Sequence, residues 1–167
     1  MPARIDHIYV HPARAVFMAM VDLDLIVMKY AQLGARKIAV KEHATRSDQV
    51  HLKVSRLHPA PSDLPSMFSK LANEWNHITY TETWDLTRND QWCAAFSLDI
   101  RGLPIKIAGT LALMDVRGGC RHQIDLTVSC SIPFIGKAIT QYLQMDAERH
   151  LAREHQIIAQ QLAGEVA

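Results

Sequence analysis

Cysteine is scarce in this chain. Cys93, Cys120 and Cys130 are odd in number and no two form a C-x-x-C pair, which argues against a disulfide framework and against a zinc site. A reducing cytoplasm suits that usage. Long apolar runs are missing too: no stretch approaches the ~18 residues of a membrane-spanning helix. The start, Met1-Pro2-Ala3-Arg4-Ile5-Asp6-His7, lacks the apolar core of a signal peptide. Neither integral membrane association nor export is expected. Neither sign of charge dominates. With 18 Lys and Arg against 17 Asp and Glu spread along the chain, there is no electrostatic reason to expect nucleic acid or an anionic membrane as a partner. Internal repeats, low-complexity segments and Gly/Ser/Pro-rich linkers are also lacking, so residues 1–167 read as a single domain.

The motifs of several large enzyme classes are missing as well. Gly136-Lys137 has no glycine five positions earlier and no strand-loop-helix setting, so it is not a phosphate loop. There is no G-x-S-x-G elbow and no H-E-x-x-H. His150 and His155 read as a solvated helix face. His7, Tyr9 and His11 share a strand face, but two histidines four positions apart on a strand lie ~13 Å apart, too far to grip one metal. No metal and no cofactor is expected.

What remains is a chain of globular composition, 49% hydrophobic and 21% charged. At this length roughly 70% of the unfolded surface can be buried. Residues 4–11 alternate as a first strand ending at Pro12. Ala13 to Leu33 reads as two short helices broken near Asp22-Leu23-Asp24 and stopped by Gly34. Strands follow at 36–44 and 49–57 around a turn at Arg46-Ser47-Asp48. From His58 to Asn76, Pro59, Pro61 and Pro65 forbid a continuing strand. One or two helical turns from Ser66 would then set Met67, Phe68 and Leu71 on one side, as a lid or edge cover. Four more strands, 77–87, 91–100, 105–115 and 119–130, form a meander. A final helix opens at Ser131-Ile132-Pro133 and runs to about Leu162, ~42 Å long. Its stripe Ile135, Ala138, Ile139, Tyr142 and Met145 faces the sheet. Beyond Arg149 the stripe weakens, so the tail is expected to be partly exposed or to pack on a partner. These elements predict an α+β fold in which a curved, seven-stranded antiparallel sheet wraps the long C-terminal helix.

That succession resembles the START / Bet v 1-like (SRPBCC, polyketide cyclase-like) superfamily with its helix-grip fold. More narrowly, it resembles the bacterial domain of unknown function family 2505. The carrying residues are I-D-H-I-Y at 5–9 with Pro12, L-P-S-M-F at 64–68, T-E-T-W-D at 81–85, R-G-L-P-I at 101–105, and S-I-P-F-I-G-K-A-I opening the last helix. The resemblance covers nearly the whole chain. It implies an apolar cavity between sheet and helix, and it transfers no catalytic motif.

Alternation assigns each strand an inward face. His7 and Tyr9 point in from the first strand, Tyr80, Glu82 and Trp84 from the 77–87 strand, Phe96 from the next, and His122 from the last. Tyr142 faces them from the helix. These eight residues are the candidate ligand contacts; the alternative is that they pack as solid core. Glu82 stands out, because a carboxylate among aromatic neighbours must find a partner, take up a proton or meet water. Arg56 or a histidine is the expected partner. His7 and His122 are expected to approach each other. Met18, Met20 and Met28 read as core, or as an adaptable cavity entrance. The leading expectation is a carrier of a hydrophobic small molecule, lipid-like or polycyclic. The alternatives are a cyclase or aromatase-type enzyme using Glu82 with His7 or His122, and an interaction protein using Leu151, Ile157, Ile158 and Leu162 of the late helix.

Overall fold

The structure, a computed structural model, describes residues 2–71 and 73–166. Strand β1 (Ala3–Tyr9) leads into α1 (Ala13–Met20) and α2 (Leu23–Gln32), which are followed by β2 (Arg36–Thr45) and β3 (Gln49–Pro59). The break between the helices has a local cause. The Asp22 carboxylate accepts a hydrogen bond from the Leu25 amide at 2.9 Å and so caps α2. Gly34, at φ +93°, ends it in the left-handed region that a glycine enters without strain.

After β3 comes a short 3₁₀ turn (Ser66–Phe68). The meander β4 (Trp75–Asp85), β5 (Trp92–Ile100), β6 (Ile105–Val116) and β7 (Gly119–Cys130) follows, and then α3 (Gly136–Val166). All neighbours pair antiparallel, in the order β1-β7-β6-β5-β4-β3-β2. α3, about 46 Å long, lies across the concave face, so the α+β helix-grip architecture expected from the sequence is the observed one.

The differences from the sequence reading sit at segment ends. β3 continues through Pro59, which lies opposite Trp75 at the last rung, where a missing N–H removes no interior ladder bond. Trp75 and Asn76 belong to β4 rather than to the loop. α3 begins at Gly136 and not at Ser131-Ile132-Pro133, because Phe134 adopts φ +68°, outside any helical conformation. In the 3₁₀ turn only Phe68 is buried; Met67 points outward. Met145 on α3 is likewise exposed.

The larger correction concerns the tail of α3. Ile158 and Leu162 are buried in the main core, with Leu151 and Ile157 packed against it. These side chains are covered by the protein's own sheet and short helices, not left for a partner. The inward line of α3 runs Leu143, Ala147, Leu151 or His150, Glu154, Ile158 and ends at Leu162. Two of its members are polar, which is why an apolar stripe fades after Arg149.

Two cores result. The larger joins α1, α2 and late α3 to the sheet around Trp84, whose ring meets Phe17 edge-on at 5.0 Å, while Phe17 stacks on Trp92 at 4.3 Å. The smaller gathers Phe68, Ile105, Ile139 and Tyr142 at the other end of the helix.

Backbone approaches closely where β6 meets β7. A Cβ placed on Gly109 would stand 1.9 Å from the Asp125 carbonyl oxygen, so only glycine fits without moving backbone. Gly109→Ala is therefore expected to cost about 1–3 kcal/mol or more, read as a lower urea midpoint. An unchanged midpoint would mean that β6 and β7 have slack there.

Candidate functional site

Between the concave face and α3 lies a cavity of about 190 Å³. It exceeds the roughly 150 Å³ apolar void that takes up a benzene-sized molecule. Its sheet wall is apolar in the middle, with Phe96 and Leu98 from β5, Ile107 and Leu111 from β6, and Leu126 from β7. Strand alternation puts these residues there, since each is an inward member of a period-two pattern. Leu143, Ala147, Leu151 and Ile158 of α3 face them at helical spacing. Apart from Asp146, which pairs with Arg149, the polar side chains that line the cavity fall in three places around this apolar centre.

The first place is Glu82, 7% exposed. Its carboxylate accepts from the Tyr80 hydroxyl at 2.7 Å and from the Trp84 indole N–H at 2.7 Å. Burial pushes its pKa above the usual carboxylate value, and the two hydrogen bonds restrain the rise. The partners are thus Glu82's neighbours two positions away on its own strand, not the arginine or histidine expected from sequence. Three successive inward positions of β4 form one hydrogen-bonded unit.

The second place is an imidazole and phenol cluster on β1, β7 and α3. His7 and His122 sit opposite each other in the β1–β7 register with ring centroids 6.3 Å apart. His155 stacks on His7 at 4.7 Å and meets Tyr9 edge-on at 4.4 Å. The Nε2 of His155 lies 2.9 Å from the Ile8 carbonyl oxygen, so that nitrogen carries the proton it donates. Burial lowers the pKa of all three histidines. For His122, 6% exposed, the fall reaches about 3, with the neighbouring His7 adding to it. Both ring nitrogens of His122 and the hydroxyl of Tyr9 have no hydrogen-bond partner among the described residues.

The third place joins α2, β3 and α3. Lys29 donates to Glu154 at 3.2 Å. Burial works against charge on both, yet Glu154 holds Lys29 above its usual value, and Lys29 together with His150 and Arg56 pulls Glu154 below its own. The Arg56 guanidinium lies over the Tyr30 ring, 4.0 Å from its centroid. His58 and His150 meet edge to face at 4.9 Å, and burial with mutual repulsion brings His58 down to about 4.

The family model described as Protein of unknown function (DUF2505) matches residues 4–162. The chain belongs to this family. No curated protein matches the sequence. Among solved structures, this DUF2505 chain is similar to the protein TTHA0849 from Thermus thermophilus, at 14% identity, with 100% of both chains covered and a TM-score of 0.68. It is also similar to a START superfamily protein from Mycobacterium smegmatis, at 13% identity, covering 96% of this chain and 98% of the other, TM-score 0.55. A third likeness is to Ara h 8.0201, at 12% identity with 98% of each chain covered, TM-score 0.58. The DUF2505 chain thus has the START / Bet v 1-like fold. Among its described residues no helix is long and apolar enough to cross a membrane.

Of the residues singled out in the sequence, Tyr9, Tyr80, Glu82, Phe96 and His122 line the cavity. The other three do not. His7 stands behind His155. Trp84 stands behind Glu82 and holds it. Tyr142 turns to the loop after β3, where its hydroxyl donates to Asp63 at 3.0 Å beside the Arg149–Asp63 pair at 2.6 Å. Of the methionines on α1 and α2, Met20 reaches the cavity, while Met18 is exposed.

In this DUF2505 member the sequence reading left Lys29, Tyr30, His58, His150, Glu154 and His155 out of the site, although all six line the cavity. His58 was within reach, because it continues the inward parity of Val50, Leu52, Val54 and Arg56 on β3. His150 and His155 are not a solvated face; they flank Glu154 on the inward line of α3.

Proposed function

We propose that this chain is a binding or carrier protein that holds a hydrophobic small molecule, lipid-like or polycyclic, between its sheet and α3. The cytoplasm is its proposed location, in keeping with three free cysteines. The observation that carries this reading is the cavity itself, whose apolar centre is ringed by a few convergent polar groups, as in small-molecule pockets. The START / Bet v 1-like fold supports it.

An enzymatic reading would need a group free to exchange a proton with a bound molecule. Both oxygens of Glu82 already accept bonds from Tyr80 and Trp84, and His122, whose ring nitrogens are unpartnered among the described residues, is lowered by burial to a pKa of about 3, too weak a base for proton transfer near pH 7; the carrier reading is preferred.

Native mass spectrometry of gently purified protein is expected to detect an adduct that denaturation releases. Nile red, a neutral dye, is expected to fluoresce in the cavity and to be displaced by extracts of that adduct. Ala147→Phe, which fills space at the helix wall, is expected to weaken dye binding at least tenfold. Absence of both adduct and dye binding in the unaltered protein would overturn the proposal.

A further inference from the structure

Of the lysine, arginine and glutamate side chains that line the cavity, Lys29, Glu82 and Glu154 are each bonded by other described residues, and Arg56 is not. Lys29 has Glu154. Glu82 has the Tyr80 hydroxyl and the Trp84 indole N–H. Arg56 is 4% exposed, lines the cavity, and forms no ion pair among the described residues. Its Nε and Nη1 have no hydrogen-bond partner among the described residues. The face of its guanidinium is occupied by the Tyr30 ring, which fixes the plane and leaves the donor edge unsatisfied. Two residues further along the same inward line of β3, His58 Nδ1 is also buried without a partner among the described residues.

A buried guanidinium with unfilled donors is costly to keep, and its fork of parallel N–H groups matches a carboxylate in a two-point contact. A monoanion matches the one positive charge of Arg56, whereas a dianionic phosphate would bring a second, unmatched negative charge into the apolar interior. The apolar wall of Phe96, Leu98, Ile107 and Leu111 begins where these polar groups end, so one molecule meets both.

We propose that the ligand is an apolar monocarboxylic acid whose carboxylate pairs with Arg56, with His58 as an additional donor, and whose hydrocarbon part lies against the β5–β6 wall. This rests on the carrier reading above and specifies the ligand's chemical class.

The test compares matched pairs at pH 7.5 by Nile red displacement and calorimetry: straight-chain carboxylic acids against primary alcohols of equal length, and 4-phenylbutyrate against 4-phenylbutanol. The acids are expected to bind at least tenfold more tightly than their alcohols. In Arg56→Gln that preference of acid over alcohol is expected to vanish. The comparison in the unaltered protein needs no variant and so stands if Arg56→Gln fails to fold. Acids and alcohols binding within twofold of each other would overturn the carboxylate assignment and leave the carrier reading intact. A preference that persists in folded Arg56→Gln would overturn the role of Arg56. If dye, acids and alcohols all fail to bind, the carrier reading falls with it.

Discussion

Lys29→Met is expected to destabilise the protein by about 3–5 kcal/mol, seen as a large fall in the urea midpoint. The side chains of Lys29 and Glu154 are 13% and 16% exposed, so neither charge has bulk water to fall back on. Removing the ammonium leaves the Glu154 carboxylate facing an apolar cavity. The remaining nearby positive charge is that of Arg56, since burial lowers the pKa of the neighbouring His150 and leaves it neutral at pH 7. The double variant Lys29→Met with Glu154→Leu is expected to recover most of the loss, because the attraction within a buried pair roughly offsets the cost of dehydrating it. A double-mutant cycle reads the coupling directly. Equal losses in the single and double variants would show that packing, not the uncompensated carboxylate, sets the effect.

Acid is expected to unfold this protein well before its carboxylates titrate. His122 is held neutral in the fold, with a pKa near 3 against an ordinary value of 6.5. Between those two values the unfolded chain binds a proton that the folded chain refuses, so stability falls as pH drops below 6.5. By pH 5 the loss from His122 alone is about 2 kcal/mol. His58, lowered to about 4, acts in the same direction through much of that window, as do His7, His150 and His155, which are also lowered. Glu82 acts the other way. Its pKa is raised in the fold, so its contribution is fullest below its unfolded value and is lost as pH rises through the folded one. One carboxyl does not offset five imidazoles. Urea midpoints at pH 7.5, 6 and 5 are expected to descend steeply, and His122→Leu is expected to descend less steeply. A flat profile, or an unaltered slope in His122→Leu, would contradict this account.

Much of the fold was legible because its signals are local. Alternation placed the inward faces of all four meander strands, and Asp22 and Gly34 marked helix ends by capping and backbone chemistry. Errors fell where a residue's role depends on distant chain. Pro59 extends a strand because its end position needs no donor, and Phe134 delays α3 because the chain must turn there. The site was half legible for a related reason. Parity identified Glu82 and His122 as inward, but not which groups would meet Glu82, since Tyr80 and Trp84 could as easily have packed past it. The polar members of α3 were misread because an amphipathic helix is recognised by its apolar stripe. His150 and Glu154 interrupt that stripe on the very face that turns inward. Lys29 gave no signal at all: its burial is intelligible only once Glu154, more than a hundred residues later, is in place.

The pairing of β1 with β7 sets the order in which the molecule can mature. Arg4 meets Asp125 across 121 positions of chain, and α3, which covers the sheet, is made later still. A polypeptide emerging residue by residue must therefore leave the apolar inner faces of β3 to β6 without the cover of α3 until residues 136–166 have been synthesised. Topologies with such distant pairings fold in milliseconds to seconds rather than microseconds. During synthesis, exposure of the unfinished sheet to other nascent chains is the hazard this architecture carries.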